Sequence, residues 1–330
     1  MPSYGIVFSG GGALAAWEVG CYRAIRTYNA CTPPAIVSGA SSGALNAAGV
    51  CVGMSPERLK GLWAQMKDAD VYKAQFGAWT FAKLAAGAAR RGAQNAAFEF
   101  LSRQQSVFDT SPLVETLRRV LAEYDRPFEQ SQVRLAVSAT NLTLNRKQVF
   151  YKMPPQIPLP VNAPTADADW RGIGGIDFLV DALVGSTALP ILFPPWTHFF
   201  DGGVMLNQPI SPALRIFEPD ILYVVIPSAE SLGQTGNLLQ LGSTLLTAWL
   251  RMSLDLQIAR IKLINGQIRP ATGRRKIRLC VIRPSQDLER RFGVSLLQFG
   301  KRVDDLENSG FDAANSKIAT FRDDNEDTWY

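Results

Sequence analysis

Apolar and polar residues follow two different periods along this chain. Short runs of consecutive apolar residues predict buried strands, and longer stretches with apolar residues every three or four positions predict amphipathic helices. The predicted strands are Tyr4–Phe8, the run that begins at Ile36, Val133–Ala139, Gln148–Tyr151, Trp196–Phe200, Ile221–Ile226 and Ile277–Ile282. The predicted helices are Leu14–Thr27, Ala44–Val50, Ser55 to about Met66, Thr110 to about Tyr124, Ile176–Ser186, one from Ser211, Leu238–Ile264 and one from about Leu296. Since strands and helices alternate, the predicted fold class is α/β, with a mainly parallel central sheet and helices on both faces.

The domain organisation follows from length and from the absence of a linker-like stretch. The 330 residues suffice for one large domain or two small ones, and we expect a single three-layer domain over 1–330.

Residues 69–105 mix alanine, glycine and aromatic residues with Lys and Arg, and two interpretations stay open: a lid or lipid-contacting cap, or ordinary peripheral helices. A C-terminal helical extension is expected over about 290–330. Met153–Pro164 carries five prolines and no charge, which predicts a surface loop.

A serine stands at the junction of a predicted strand and a predicted helix, in Gly39-Ala-Ser-Ser-Gly43. In this G-x-S-x-G spacing the glycines permit a sharp turn that holds the Ser41 hydroxyl above the sheet as a nucleophile. A lone G-x-S-x-G also arises by chance.

Three glycines, Gly10–Gly12, follow the first predicted strand. Their amides are unshielded by side chains, so a carbonyl oxygen can approach them as in an oxyanion hole. A phosphate-binding nucleotide turn is the weaker alternative, because Ala15 stands where the third glycine belongs and no Gly-Lys-Ser/Thr follows. Two glycine-dependent turns so close together favour the front end of a serine hydrolase.

Asp201-Gly-Gly203 ends the predicted strand Trp196–Phe200, and active-site carboxylates are commonly presented at the carboxyl end of a strand. His198 is the only histidine of the sequence, so a Ser–His–Asp triad would have to use it. It stands three residues before Asp201, which puts the two side chains on opposite faces of a regular strand unless a bulge intervenes. We therefore expect His198 to be a structural or surface residue.

Composition and charge limit the kinds of binding partner that we expect. The composition, 47% hydrophobic and 19% charged, is that of an ordinary globular protein, and the net charge is +5. Residues 269–302 hold ten Lys or Arg against two acidic residues. A solvated face explains this excess most simply, attraction to anionic phospholipid headgroups is the functional alternative, and nucleic acid is disfavoured because no recognisable reader module accompanies the charge.

The cysteines and the N-terminus bear on the compartment. Cys21, Cys31, Cys51 and Cys280 lack the spacing of a zinc site and are expected to be free thiols, the first three in apolar elements. Neither a signal peptide nor a transmembrane span is recognisable, so the expected location is cytoplasmic, with specialised secretion left open.

The ordered motifs resemble those of the patatin-like phospholipase family, from Tyr4 to about Leu288. Gly10–Gly12 is similar to the family's oxyanion motif, Gly39–Gly43 to its nucleophile elbow and Asp201–Gly203 to its D-G-G/A motif. Further similar segments are Ser138–Asn141, Ala188–Pro190 with Phe193–Pro194, and Ile282–Ser285. Family members often have a basic residue where this chain has Ala13–Ala16, so a side-chain cation at that place is not expected to contact phosphate.

The resemblance implies a site and a function. The site would be a Ser41–Asp201 dyad without histidine, with oxyanion donors on Gly10, Gly11, Gly12 and Ser42, and without metal or other cofactor. The function would be a serine lipid acyl hydrolase of the phospholipase A or lysophospholipase type, acting on phospholipid or another lipid ester through an acyl-enzyme. A soluble carboxylesterase, or a membrane-binding protein with a vestigial site, are the alternatives. Peripheral association with anionic membranes fits the basic segment, and the need for an activator protein or an oligomer stays open.

Overall fold

A computed structural model describes residues 2–75, 106–229, 254–263, 265 and 276–323 of the chain. The strands in these ranges are β1 (Tyr4–Phe8), β2 (Ile36–Ala40), β3 (Lys73–Ala74), β4 (Phe108–Asp109), β5 (Arg134–Asn141), β6 (Arg146–Lys152), β7 (Ala168–Gly172), β8 (Phe199–Asp201), β9 (Ile221–Val225) and β10 (Arg278–Ile282). The helices are α1 (Ala15–Tyr28), α2 (Ser42–Cys51), α3 (Pro56–Gln65), α4 (Ser111–Leu121), α5 (Asp125–Gln130), α6 (Ile176–Thr187), α7 (Gly203–Leu206), α8 (Ile210–Ile216), α9 (Leu288–Phe292) and α10 (Val303–Asp323). Residues 254–263 are also helical.

The central sheet has the order β10-β9-β1-β2-β5-β6-β7. Its first five strands run parallel, β6 is antiparallel to β5, and β7 is parallel to β6. The short β8 pairs antiparallel with the last residues of β5. This arrangement brings the loops after β1, β2 and β5, and the end of β8, to one edge of the sheet, where ligands of α/β folds bind.

The core lies on both faces of the sheet because the side chains of each strand alternate. In β1, Ile6 and Phe8 pack into the cluster that includes α1 and α2, whereas Val7 packs into a second cluster with α8 and residues 254–263. Each face of the sheet is thus covered by helices. The predicted α/β class with a mainly parallel sheet is confirmed.

Several elements differ from the sequence-based expectation. The strand predicted over Trp196–Phe200 begins only at Phe199, because a tight turn joins Trp196 and Phe199 through two backbone hydrogen bonds of 2.9 and 3.0 Å. His198 therefore lies in that turn, and the argument from strand alternation does not apply to it. The edge strand β7 and the β3–β4 ribbon were not predicted, since their sequences are polar or only two residues long.

Other expectations fall partly outside the described residues. Most of the proposed lid, residues 76–105, and residues 238–253 of the long predicted helix are not described. Met153–Pro164 is free of helix and strand, as predicted. Cys21, Cys51 and Cys280 are buried, but Cys31 is exposed because α1 ends before it. Within the described part of the chain, no helix has the length and apolar character needed to cross a bilayer.

Candidate active site

Ser41 occupies a strained turn between β2 and α2. Its backbone has φ 53° and ψ −133°, a conformation that residues with a side chain rarely adopt. A β-carbon on Gly43 would lie 2.6 Å from the carbonyl oxygen of Phe8, so only glycine lets the start of α2 pack this closely against β1. The turn leaves Ser41 partly exposed at the carboxyl edge of the sheet.

Ser186 fixes the turn at Ser41 through hydrogen bonds. The Ser41 amide donates to Ser186 Oγ at 2.9 Å, and the Ser186 hydroxyl donates to the Ser138 carbonyl oxygen at 2.7 Å. Ser186 is fully buried near the end of α6, and its own carbonyl accepts from the Gly202 amide at 3.0 Å. One residue thus joins the nucleophile turn to the segment that carries Asp201. Sequence reasoning missed it, because nothing in the local sequence distinguishes a serine near a helix end.

The Asp201 backbone is fixed on three sides. As the last residue of β8 it pairs with Ala139 of β5, its amide donates to the Ala188 carbonyl at 2.9 Å, and its carbonyl accepts from Thr140 Oγ1 at 3.0 Å. The side chain is 2% exposed. Oδ1 accepts from the Gly203 amide at 2.7 Å, and Oδ2 is buried without a hydrogen-bond partner among the described residues.

Burial governs the acidity of this carboxyl group. Desolvation raises the pKa of Asp201 from 3.8 to about 6, and the nearby Ser41 hydroxyl and the hydrogen bond from the Gly203 amide lower the pKa in part. The Ser41 hydroxyl therefore lies beside the carboxylate, although no regular hydrogen bond reaches Oδ2. A carboxylate with this pKa is suited to accept a proton near neutral pH.

The glycine loop lies against the nucleophile turn, and part of its donor capacity is engaged. The Gly10 amide donates to Asn207 Oδ1 and the Gly11 amide to Ser42 Oγ, each at 3.0 Å. The Gly12 and Ser42 amides have no acceptor among the described residues. A β-carbon on Gly10 would lie 2.8 Å from Ser41 Cβ, which shows how closely the loop approaches the nucleophile. Gly10 thus lies beside Ser41 and Gly11 beside Ser42, and among the described residues two of the four predicted donors, the Gly12 and Ser42 amides, have no acceptor.

Asn207 anchors this loop from the end of α7. Besides accepting from Gly10, it donates through Nδ2 to Ser9 Oγ at 3.2 Å, and Gln208 Nε2 donates to the same oxygen at 2.8 Å. Asn207, Gln208 and Ser9 are all buried. Sequence reasoning also missed Asn207, since its partners precede it by almost 200 residues; its place six residues after Asp201 was the available signal.

His198 is apart from this cluster. It is exposed, and its ring packs on Phe199 with a centroid distance of 4.1 Å. Within the described residues no hydrogen bond joins His198 to Ser41 or Asp201, and no group of His, Cys, Asp or Glu side chains is arranged to hold a metal ion. The described residues place a hydroxyl, a buried carboxylate and backbone amides at this edge of the sheet.

The family model described as patatin-like phospholipase matches residues 6–214, more than half of the chain and the part that contains this site. The chain belongs to the patatin-like phospholipase family. Among solved structures, this patatin-like protein is similar to VipD from Legionella pneumophila, with 13% identity and a TM-score of 0.40 over 97% of this chain and 67% of VipD. It is also similar to the type III effector ExoU, with 13% identity and a TM-score of 0.38 over 97% of this chain and 53% of ExoU. ExoU comes from Pseudomonas aeruginosa, and the patatin-like chain spans about half of its length. No curated protein matches the sequence.

Proposed function

We propose that this patatin-like lipid ester hydrolase is a phospholipase A or lysophospholipase that works through a dyad of Ser41 and Asp201. The observation that carries the proposal is the pairing of a hydroxyl on a strained, partly exposed turn with a buried carboxylate whose Oδ2 has no other described partner. The pKa of about 6 at Asp201 supports the role of a base. The exposed turn position of His198 argues against a triad.

The first half of the proposed reaction forms an acyl-enzyme. Asp201 takes the proton from Ser41 as Oγ attacks the ester carbonyl, and the carbonyl oxygen becomes an oxyanion. The Gly12 and Ser42 amides, which have no acceptor within the described ranges, stabilise it together with the positive end of α2. Gly11 joins them when its amide exchanges the Ser42 hydroxyl for the oxyanion. Collapse of the tetrahedral intermediate expels the alcohol, which takes the proton from Asp201.

The second half releases the fatty acid. Asp201, again ionised, removes a proton from a water molecule that attacks the acyl-enzyme, and the same amides hold the second oxyanion. Ser41 recovers its proton from Asp201 as the acid leaves. Each step uses only groups of this chain, the substrate and water, so the proposed mechanism includes no metal or other cofactor. The substrate is a phospholipid or lysophospholipid presented by an anionic membrane with which the protein associates peripherally.

The test compares three single variants with the wild type. Lipid products are identified by mass spectrometry, and Ser41 is trapped with a fluorophosphonate probe. We expect Ser41→Ala and Asp201→Asn to lower the rate by about three orders of magnitude or more, since each removes a reacting group, and Ser41→Ala not to label. His198→Ala should keep most of the wild-type activity.

The result that would overturn the dyad is full loss of activity in folded His198→Ala protein, which would restore a triad. Circular dichroism of each variant serves as the control for folding. Failure of wild-type Ser41 to label would indicate a vestigial site, and hydrolysis confined to soluble short-chain esters would indicate a carboxylesterase.

A further inference from the structure

The basic C-terminal segment lies next to the glycine loop. The Leu296 carbonyl accepts from the Ala13 amide at 2.8 Å, and a β-carbon on Gly12 would collide with the same carbonyl. Residues 288–302, which hold four of the ten cations recognised in the sequence, are therefore fixed at the mouth of the active site. All four are exposed, and Arg302 Nε forms an ion pair with Asp305 Oδ2 at 2.9 Å.

Backbone amides hold the acidic side chains within and beside this segment. Asp287 Oδ1 accepts from the Arg290 amide at 3.1 Å and Glu289 Oε1 from the Leu296 amide at 3.2 Å. Asp68 Oδ1, from the segment packed against it, accepts from the Phe299 amide at 2.8 Å. Residues 287–302 carry four cations against these two acids, Asp287 and Glu289, so the segment has a net positive charge.

A series of aromatic contacts connects the basic segment to the loop between α6 and β8. Tyr72 donates to the Leu297 carbonyl at 2.8 Å and packs on Phe108, with ring centroids 4.5 Å apart. Phe108 in turn packs on Phe193, in the loop between α6 and β8 that leads to Asp201. The basic segment and this loop are therefore joined around the mouth of the site.

The loop presents an isoleucine to solvent. Ile191 is 78% exposed and has a φ of 74°, a region that β-branched residues avoid. Its carbonyl accepts from the Val107 amide at 2.9 Å, and Val107 is also exposed. Packing among the described residues explains neither the exposure of this apolar side chain nor its identity at a strained position.

We propose that the mouth of the site, formed by residues 287–302 and the loop around Ile191, is the surface that docks on an anionic phospholipid bilayer. The exposed cations bind lipid headgroups, and Ile191 enters the interface beside them. Docked this way, the glycine loop and Ser41 face the membrane from which the substrate comes. This inference rests on the proposed function and adds the orientation of the protein on its substrate.

The binding test uses Ser41→Ala protein, so that the vesicles are not consumed, and vesicles of phosphatidylcholine with or without phosphatidylglycerol. Neutralising the mouth with Arg290→Gln, Arg291→Gln and Lys301→Gln should weaken binding to the anionic vesicles by on the order of 10-fold to 100-fold. The matched control, Arg118→Gln, Arg126→Gln and Lys317→Gln, removes three exposed cations elsewhere and should change binding less than about threefold.

The apolar contribution is tested with a matched pair of single substitutions. Ile191→Asn removes the apolar side chain at a position where asparagine tolerates the backbone, and it should weaken binding about tenfold. Val161→Asn makes the same kind of change at a fully exposed valine in the loop between β6 and β7, and it should leave binding unchanged. Equal losses in the mouth and control variants, or equal binding to neutral and anionic vesicles, would overturn the proposed surface.

Activity separates this inference from the proposed function. With Ser41 intact, the mouth variants should hydrolyse a soluble short-chain ester at the wild-type rate and vesicle phospholipid about tenfold or more slowly. Equal losses on both substrates would mean that the mouth serves the chemistry and not docking. A wild-type protein that binds anionic vesicles through the mouth but hydrolyses neither substrate would refute the proposed function and leave the docking surface standing.

Discussion

At the scale of single residues, two buried carboxyl groups near the glycine loop differ in what they face. Glu18 of α1 is fully buried, burial raises its pKa, and its Oε2 accepts from Asn46 Nδ2 at 2.9 Å. Asp201 is equally buried, but it lies beside the partly exposed Ser41. Of the two, only Asp201 is therefore a candidate base for the proposed reaction. The neighbours of the two carboxyl groups distinguish them, because desolvation acts on both.

The pH dependence of activity should report the pKa of Asp201. Because the proposed base is the ionised carboxylate, kcat/KM should fall tenfold per pH unit below about pH 6 and level off above it. The measurement is hydrolysis of a soluble ester between about pH 4.5 and 8, with unfolding followed at each pH as a control. A profile that stays flat through pH 6 would contradict the assignment of Asp201 as the base.

Asn207→Ala should lower kcat by about one to two orders of magnitude and change KM little. The substitution removes the acceptor that holds the Gly10 amide and leaves the loop free to move away from Ser41. The matched control is Asn29→Ala, which removes a buried asparagine bonded to Ile25 and Tyr223 away from the site. Both variants should be less stable than wild type, but an equal kcat in the two would exclude a positioning role for Asn207.

At the scale of elements, sequence patterns predicted the strands and turns that are determined by residues close together in the sequence. The apolar runs identified β1, β2, β5, β9 and β10, and glycine spacing identified the turn at Ser41. Contacts between distant segments escaped prediction: Ser186 with Ser41, Asn207 with Gly10, and the turn that delays β8 to Phe199. These depend on where the sheet brings segments together, which periodicity does not encode.

A pair of glycines tests the packing of the nucleophile turn. Gly43→Ala should lower the free energy of unfolding by about 2–4 kcal/mol and abolish activity, because the new β-carbon meets the Phe8 carbonyl. Gly61→Ala, inside α3 with open space around it, should raise stability by about 0.5–1 kcal/mol. Urea unfolding of both variants gives the comparison. An active, stable Gly43→Ala protein would mean that α2 does not pack against β1 as described.

At the scale of the whole molecule, the buried acids oppose stability at neutral pH. The folded-state pKa of Asp201 lies above its unfolded value of 3.8, so the folded protein binds more protons than the unfolded chain between about pH 4 and 6. The free energy of unfolding contributed by Asp201 therefore rises as pH falls through this window. Glu18 acts in the same direction, since burial raises its pKa as well.

Asp201→Asn should consequently stabilise the protein at pH 7 while it abolishes activity. The neutral amide avoids the desolvation of a charge, and the shift in pKa sets the gain at on the order of 2–3 kcal/mol. Urea unfolding at pH 7 and pH 4.5 measures the effect, which should shrink at the lower pH. A variant less stable than wild type at pH 7 would show that the carboxylate is well solvated or paired in the native protein.

The family match ends at residue 214, whereas β1 takes one of its two partners, β9, from residues after that point. A proteolytic fragment that ends at residue 214 would leave β1 as an edge strand with a row of unpaired amides and carbonyls. The faces that are buried in the intact protein would become exposed to water. Such an edge recruits other chains. Cleavage after residue 214 would thus yield aggregates, and pairing with β9 protects β1 from self-association.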